Sequence, residues 1–253
     1  MRSHILSASL ASLCCAMPAA TLAAQPVVKF SGEIESSHSH FPAPDGRLAS
    51  ALLAARPSSR AFPPATVFTR EAARKEQIRL KAGIEHDLDQ LMIHGEPTIA
   101  SLAGRLRRWI ARMPVTGRKG IVTDARLMEL QPQHNPRIEA GDTITYLARP
   151  STVEVVGAVV KPCTIEHSPL DDATDYVKKC PSTGEADPDQ IVVIQIDGTI
   201  QIQGVALWNR SDPQHVSPGS RILVPIATRE IAQIAPDLNE DLSRFIATQL
   251  PSP

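Results

Sequence analysis

Aromatic residues are scarce in this chain, which has two tryptophans, two tyrosines and five phenylalanines among 253 residues. So few rings argue against a stacking platform for single-stranded nucleic acid. The formal net charge of −1 argues against binding to phosphate backbones by bulk electrostatics. After the N-terminal segment, no stretch approaches the roughly 18 apolar residues that a membrane-spanning helix needs. We therefore expect no nucleic-acid partner and no transmembrane span in the mature chain.

Motifs of catalysis are also missing. The chain contains no G-x-S-x-G elbow, no H-E-x-x-H, no phosphate-binding glycine loop and no C-x-x-C pair. Tyr146 and Tyr176 are the only tyrosines, and no paired carboxylate motif accompanies them. The sequence therefore predicts no catalytic residues, no cofactor and no metal site, which favours a protein that is not an enzyme.

The first 24 residues have the pattern of a secretory signal peptide. Arg2 precedes an apolar run from Ile5 to Met17, and small residues crowd the segment before Gln25. This order of charge, apolar run and small residues is typical of a cleaved export signal. We predict a signal peptide over residues 1–24 and a mature chain in the bacterial periplasm; a buried N-terminal helix is the alternative.

Cleavage at that point leaves two cysteines, Cys163 and Cys180. In an oxidising compartment, two cysteines are the number that makes one disulfide. We predict that bridge; two buried free thiols are the alternative.

An internal repeat organises the mature chain. Gly120 aligns with Gly198 and, without a gap, Gly141 aligns with Gly219. A turn glycine followed by alternating apolar residues is typical of a strand entered through a tight turn. The pattern of each unit therefore predicts several strands around one helix. The dipeptide Arg149-Pro150 separates the two units.

Helical spacing of apolar residues interrupts the first unit and closes the chain. Two apolar patterns on either side of His94-Gly95-Glu96 predict a helical hairpin over about residues 70–114. A third pattern predicts a C-terminal amphipathic helix within residues 229–253. Its apolar stripe is expected to face a partner and consists of Leu238, Leu242, Phe245 and Ile246.

Several short motifs in a shared order carry a resemblance to a known family. They are Pro114-Val115-Thr116-Gly117-Arg118, Asn135-Pro136-Arg137-Ile138 with Gly141-Asp142, Arg149-Pro150, Val155-Val156-Gly157-Ala158-Val159, Asp175-Tyr176, Ala186-Asp187, Val193-Ile194-Gln195, Asp197-Gly198, and Trp208-Asn209 with Pro218-Gly219. Together they resemble the capsule-biosynthesis GfcC family, a relative of the Wza-type polysaccharide export proteins. The resemblance covers nearly all of the mature chain.

The resemblance implies an α+β fold with two tandem β-grasp domains, over residues 25–149 and 150–228. The helical hairpin would be inserted in the first domain, and the amphipathic helix would follow the second. It implies a periplasmic accessory protein without catalysis that binds capsular polysaccharide, exopolysaccharide or the outer-membrane export machinery. A polysaccharide-modifying enzyme and a self-associating structural protein of the envelope are the alternatives.

Three residues are candidates for binding sugar. Arg118 follows Gly117 where the hairpin rejoins the sheet, and its planar fork suits a carboxylate or phosphate. The resemblance implies that this arginine lines a cleft; a salt bridge between the domains is the alternative. Trp208, beside Asn209, is a candidate for stacking on a sugar ring, with a place in the core as the alternative.

Overall fold

The computed structural model describes residues 27–35, 40–43 and 45–251, so the predicted signal peptide lies outside the described residues. Within this part, the chain forms two five-stranded mixed sheets and seven α-helices. The predicted α+β class is confirmed.

The first sheet is built from residues before position 147. Its strands are β1 (Val27–Gly32), β2 (His40–Pro42), β3 (Val67–Thr69), β4 (Arg118–Lys119) and β5 (Thr143–Tyr146). They lie in the order β2-β1-β5-β3-β4. The central strands β1 and β5 are parallel, and the other neighbours are antiparallel.

The second sheet repeats this arrangement. Its strands are β6 (Thr152–Gly157), β7 (Cys163–Glu166), β8 (Gln190–Ile194), β9 (Ile200–Gly204) and β10 (Arg221–Val224). Their order is β7-β6-β10-β8-β9, again with one parallel pair, β6 and β10, at the centre. The two halves of the chain therefore share one topology, as the predicted repeat requires.

Two glycines preserve the central strand pair in both halves. Gly32 ends β1 with φ +82°, and Gly157 ends β6 with φ +100°. A Cβ atom on Gly32 would lie 2.0 Å from the carbonyl oxygen of Tyr146, and one on Gly157 would lie 2.2 Å from that of Val224. Since Tyr146 and Val224 end the equivalent strands β5 and β10, both glycines permit the same close approach.

One part of the predicted alignment holds and another does not. Gly141 and Gly219 both have positive φ and both precede the central strand that follows them, β5 or β10. Gly198, in contrast, precedes β9, whereas Gly120 follows β4. The two-residue β4 lies directly after the inserted hairpin, so the register of the repeat is lost there.

The helices differ in length and in the signals that predict them. They are α1 (Leu48–Ala54), α2 (Glu71–His94), α3 (Pro97–Arg112), α4 (Ala125–Leu130), α5 (Ala173–Lys178), α6 (Thr228–Ile231) and α7 (Leu238–Ala247). No helix in the described part is both long and apolar enough to cross a membrane. Helix α4 is not predicted from the sequence; its N-cap is Asp124, which accepts hydrogen bonds from two backbone N–H groups.

The helical hairpin α2–α3 is inserted in the first half but shares its core with the second. Its buried side chains belong to one apolar cluster with the second sheet and with α5, α6 and α7. The first sheet has a separate, smaller cluster with α1 and α4. The hairpin therefore covers the second half of the molecule and ties the halves together.

The stripe on α7 faces this large core. Leu238, Leu242, Phe245 and Ile246 are all buried, and α7 packs against α2 and the β8–β9 hairpin. This differs from the expectation that the stripe faces a partner. The physical reason is that the hairpin supplies the apolar surface that covers it, so self-association through these four residues is not favoured.

Cys163 and Cys180 form a disulfide, with their Sγ atoms 2.10 Å apart. The bridge links β7 to the end of α5, and Cys180 is fully buried. It closes a segment with a sequence separation of 17 within the second half.

Candidate functional site

The segment Val115–Arg118 joins the hairpin to the first sheet, and its polar groups are anchored on two sides. The side chain of Gln77 on α2 accepts from the backbone N–H of Gly117 at 2.8 Å and donates to the carbonyl of Arg118 at 2.8 Å. The hydroxyl of Thr116 donates to the carbonyl of Thr248 at 2.7 Å, beyond the end of α7. Positive φ at Gly117 allows this turn.

Arg118 is buried, with 5% of its surface exposed. Its guanidinium donates to the carbonyl of Gln249 at 2.7 Å and to the carbonyl of Ile196. Burial lowers the pKa of Arg118 to about 10, although the nearby Asp197 carboxylate favours the charged form. Arg118 therefore connects the first sheet to the β8–β9 turn and to the C-terminal segment.

This position leaves Arg118 no room for a sugar. The cavity beside it has a volume of about 10 Å³, which is enough for at most about one water molecule. The structure thus differs from the prediction that Arg118 binds ligand. It also differs from the salt-bridge alternative, because Arg118 bonds to carbonyls and forms no ion pair in the part of the chain that the structure describes.

A larger cavity, the junction cleft, opens nearby between the two halves. It has a volume of about 680 Å³. The first half contributes Phe68, Arg70, Lys119 and His134 among others, and the second contributes the turn Asp197–Thr199. Since residues from both halves line it, this cleft depends on the junction that Arg118 maintains.

The main charge in the junction cleft is already paired. Arg70 donates to both carboxylate oxygens of Asp142, at 2.9 and 2.7 Å, and to Glu139 at 2.8 Å. The hydrogen bond to Asp142 is the main cause that raises the pKa of Arg70. The guanidinium carbon also lies 5.2 Å from the centre of the Phe68 ring. Sequence reasoning missed this pair, because 72 positions separate Arg70 and Asp142 and no local pattern links them.

Trp208 is not in the core. It is 76% exposed, and its indole N–H donates to the Asp189 carboxylate at 3.2 Å. The ring is thus anchored at its polar edge while most of its surface meets solvent. This arrangement suits stacking, because an anchored ring loses little conformational freedom when a ligand binds.

Asn209 holds the loop that carries Trp208 in place. Its amide donates to the backbone carbonyl of Asp189 at 2.9 Å and accepts from the N–H of Ala206 at 3.0 Å. Gly204 permits the close approach of this loop, since a Cβ there would lie 2.0 Å from the Asn209 carbonyl oxygen. Asn209 therefore positions the loop, and we call the surface of Asp189, Trp208 and Asn209 with its adjoining cavity of about 260 Å³ the tryptophan ledge.

Two comparisons with known proteins found a match. Residues 162–251 match a family model described as capsule biosynthesis GfcC C-terminal. The chain is also 26% identical over 190 residues to the Uncharacterized protein YjbG of Escherichia coli (strain K12), across 74% of this chain and 76% of that protein. The matched segment contains β7 to β10 and α5 to α7, and with them the tryptophan ledge.

Proposed function

Because this chain belongs to the capsule-biosynthesis GfcC family, we propose that it is a non-catalytic periplasmic accessory protein in the assembly or export of a capsular polysaccharide or exopolysaccharide. Family membership supports a role in capsule assembly. The proposal adds that the protein binds the polymer, the outer-membrane export machinery or both.

We assign each half to the β-grasp fold as part of this proposal. In both halves a helix, α1 or α5, lies in sequence between the first hairpin and the remaining strands. The parallel central pair and the shared strand order support the assignment. A tandem pair of such modules would present two similar surfaces to a long repeating chain.

The tryptophan ledge is the observation that favours polymer binding. A flat ring offers the apolar C–H face of a sugar a large contact area, and the Asp189 carboxylate beside it has further acceptor capacity for sugar hydroxyls. The chain carries only one other tryptophan, Trp109, which packs against the large core. The exposed ring is therefore the best candidate contact for sugar.

The acids with raised pKa values lie elsewhere. Burial raises the pKa of Asp87 on α2, and the Asp241 and Asp237 carboxylates add to that shift. Burial also raises the pKa of Asp241 on α7, and Asp237 and Glu240 add to it. Neither Asp87 nor Asp241 lines the junction cleft or the tryptophan ledge. Their placement on helices that pack together supports a structural explanation of the shifts and a protein without turnover.

Periplasmic location rests on two features. The export-signal pattern of residues 1–24 predicts secretion. The disulfide between Cys163 and Cys180 fits an oxidising compartment.

Titration of the purified mature chain with polysaccharide from the producing cell tests the proposal. We expect saturable binding that Trp208→Ala weakens about tenfold, which corresponds to roughly 1.4 kcal/mol. Leu207→Ala is the matched control, because Leu207 is an exposed apolar neighbour without a polar anchor. Equal binding by the wild type and Trp208→Ala would remove the ledge from the proposal, and shortened polymer after incubation would favour the enzyme alternative.

A further inference from the structure

A second cavity lies in the C-terminal half, and it shares no lining residue with the cavity at the tryptophan ledge. It is formed by α5, by β8 and β9, and by the loop that follows β9, and its volume is about 440 Å³. This size lies within the range of about 300–1,000 Å³ that is usual for small-molecule sites. We call it the α5 cavity.

The α5 cavity contains a buried amide oxygen without a donor. Gln203 on β9 lines the cavity and is 2% exposed. Within the described part of the chain, its Oε1 atom is buried and has no hydrogen-bond partner. Such atoms are rare in folded proteins and unfavourable unless something supplies the donor. A ligand hydroxyl in the cavity would supply the donor after rotation of the terminal amide, because the oxygen has almost no accessible surface in this conformation.

The walls suit one sugar ring. Val177, Ile191 and Val205 provide apolar surface for the C–H face of the ring. The one carboxylate in the lining is that of Asp172, which is occupied by the start of α5: it accepts from the N–H of Asp175 at 3.0 Å and from the hydroxyl of Thr174 at 2.6 Å. The Asp172 carboxylate is therefore occupied by hydrogen bonds at the start of α5.

Two cations line the same cavity. Lys178, at the end of α5, is paired with Asp175 at 2.8 Å. Arg210 is exposed and forms no ion pair among the described residues. The Arg210 guanidinium therefore retains its charge and its donors for an anion at the mouth of the cavity.

We propose that the α5 cavity binds one acidic sugar unit, a uronic acid residue, through Gln203 and Arg210. A ring hydroxyl donates to the Gln203 amide oxygen, the apolar wall covers one face of the ring, and Arg210 binds the carboxylate. This inference rests on the proposed function, because the sugar unit would belong to the polymer that the protein serves. It adds a contact that selects for acidic polymers, separate from the stacking contact at Trp208.

Amide chemical shifts of the ¹⁵N-labelled mature chain test this site, with digalacturonic acid as the probe and its uncharged dimethyl ester as the matched ligand. We expect saturable shifts at Val177, Ile191 and Val205 with the acid, and at least tenfold weaker binding of the ester. Gln203→Met keeps the length of the side chain and should weaken binding of the acid at least tenfold. Arg210→Gln should remove the preference for acid over ester.

Lys161→Gln is the control, because Lys161 is an exposed cation that does not line the cavity; it should leave binding unchanged. Absence of saturable shifts at the cavity would overturn the inference. So would equal binding by the wild type and Gln203→Met, or equal binding by the wild type and Arg210→Gln. If the protein binds polymer through Trp208 but the acid causes no saturable shifts at the α5 cavity, this inference alone is refuted. If the acid binds in the α5 cavity but the protein does not bind polymer, the proposed function alone is refuted.

Discussion

Substitution of Arg118 by methionine separates a structural arginine from a ligand-binding one. The change removes the two donors that reach the carbonyls of Gln249 and Ile196. Each buried carbonyl left without a donor costs about 1–3 kcal/mol, or about 2–6 kcal/mol for both. Loss of the guanidinium also removes the free-energy cost of burying its charge. The lowering of the pKa of Arg118 to about 10 places that cost at roughly 3 kcal/mol.

The first effect should be the larger one, because methionine fills the space of the stem and supplies no donor to either carbonyl. We expect Arg118→Met to lower the free energy of unfolding by about 1 kcal/mol, the difference between the two effects. Arg118→Lys should cost at least as much, because a compact ammonium is more strongly hydrated and cannot span both carbonyls. Arg112→Met, an exposed arginine at the end of α3, is the control and should stay within about 0.5 kcal/mol.

The pH dependence provides an independent check. Below about pH 10 both the folded and unfolded chains carry the charged Arg118, and the folded state bears the full penalty of burying it. Above about pH 10 the unfolded chain, in which the pKa of Arg118 has its usual higher value, binds more protons at this site than the folded chain. The contribution of this site to stability therefore rises with pH. The difference in stability between wild type and Arg118→Met should therefore grow above pH 10.

Urea unfolding followed by far-ultraviolet circular dichroism, at pH 8 and pH 10.5, measures both effects. A variant Arg118→Met as stable as the wild type at pH 8, or more stable, would refute the reasoning. Such a result would mean that the carbonyls find other donors and that Arg118 is retained for another purpose.

Three further predictions concern the sheets and the disulfide. Burial raises the pKa of Tyr146 to about 12, so the unfolded chain loses the phenolic proton of Tyr146 at lower pH than the folded chain. Between pH 10 and 12 the wild type should therefore lose stability relative to Tyr146→Phe. The measurement is the slope of the unfolding free energy against pH, which should differ between the two proteins. Reduction of the Cys163–Cys180 bridge should lower stability by about 3 kcal/mol in urea melts with and without dithiothreitol, and coincident melts would contradict this. Asp142→Ala should cost about 3–5 kcal/mol because it leaves Arg70 without its buried partner, and a loss below about 1 kcal/mol in urea melts would refute the pair's importance.

Local patterns explain which elements could be predicted from the sequence. Helix α3 has Pro97 at its first position and apolar residues at helical spacing, so the sequence predicts this helix and where it begins and ends. The apolar stripe on α7 can be predicted from the sequence in the same way. Its burial cannot, because the element that covers it, α2, lies about 150 positions earlier in the chain. The spacing of apolar residues predicts that one face of a helix is apolar, but not which element packs against that face.

The candidate site divides in the same way. The residue types at Arg118 and Trp208 marked both positions as candidates. Their environments depend on distant segments: Arg118 bonds to carbonyls 78 and 131 positions away, and Trp208 bonds to a carboxylate 19 positions earlier. Gln203 carries no sequence signal, because only the tertiary structure turns an ordinary glutamine into one with a buried amide oxygen that lacks a donor.

Surface polysaccharide on the producing cell tests the central claim most directly. It is measured after deletion of the gene and after complementation with the wild type or Trp208→Ala, with both proteins present at equal levels by immunoblot. A role in capsule assembly predicts that surface polymer falls on deletion, that the wild type restores it and that Trp208→Ala restores it less. Unchanged surface polymer after deletion would contradict the account.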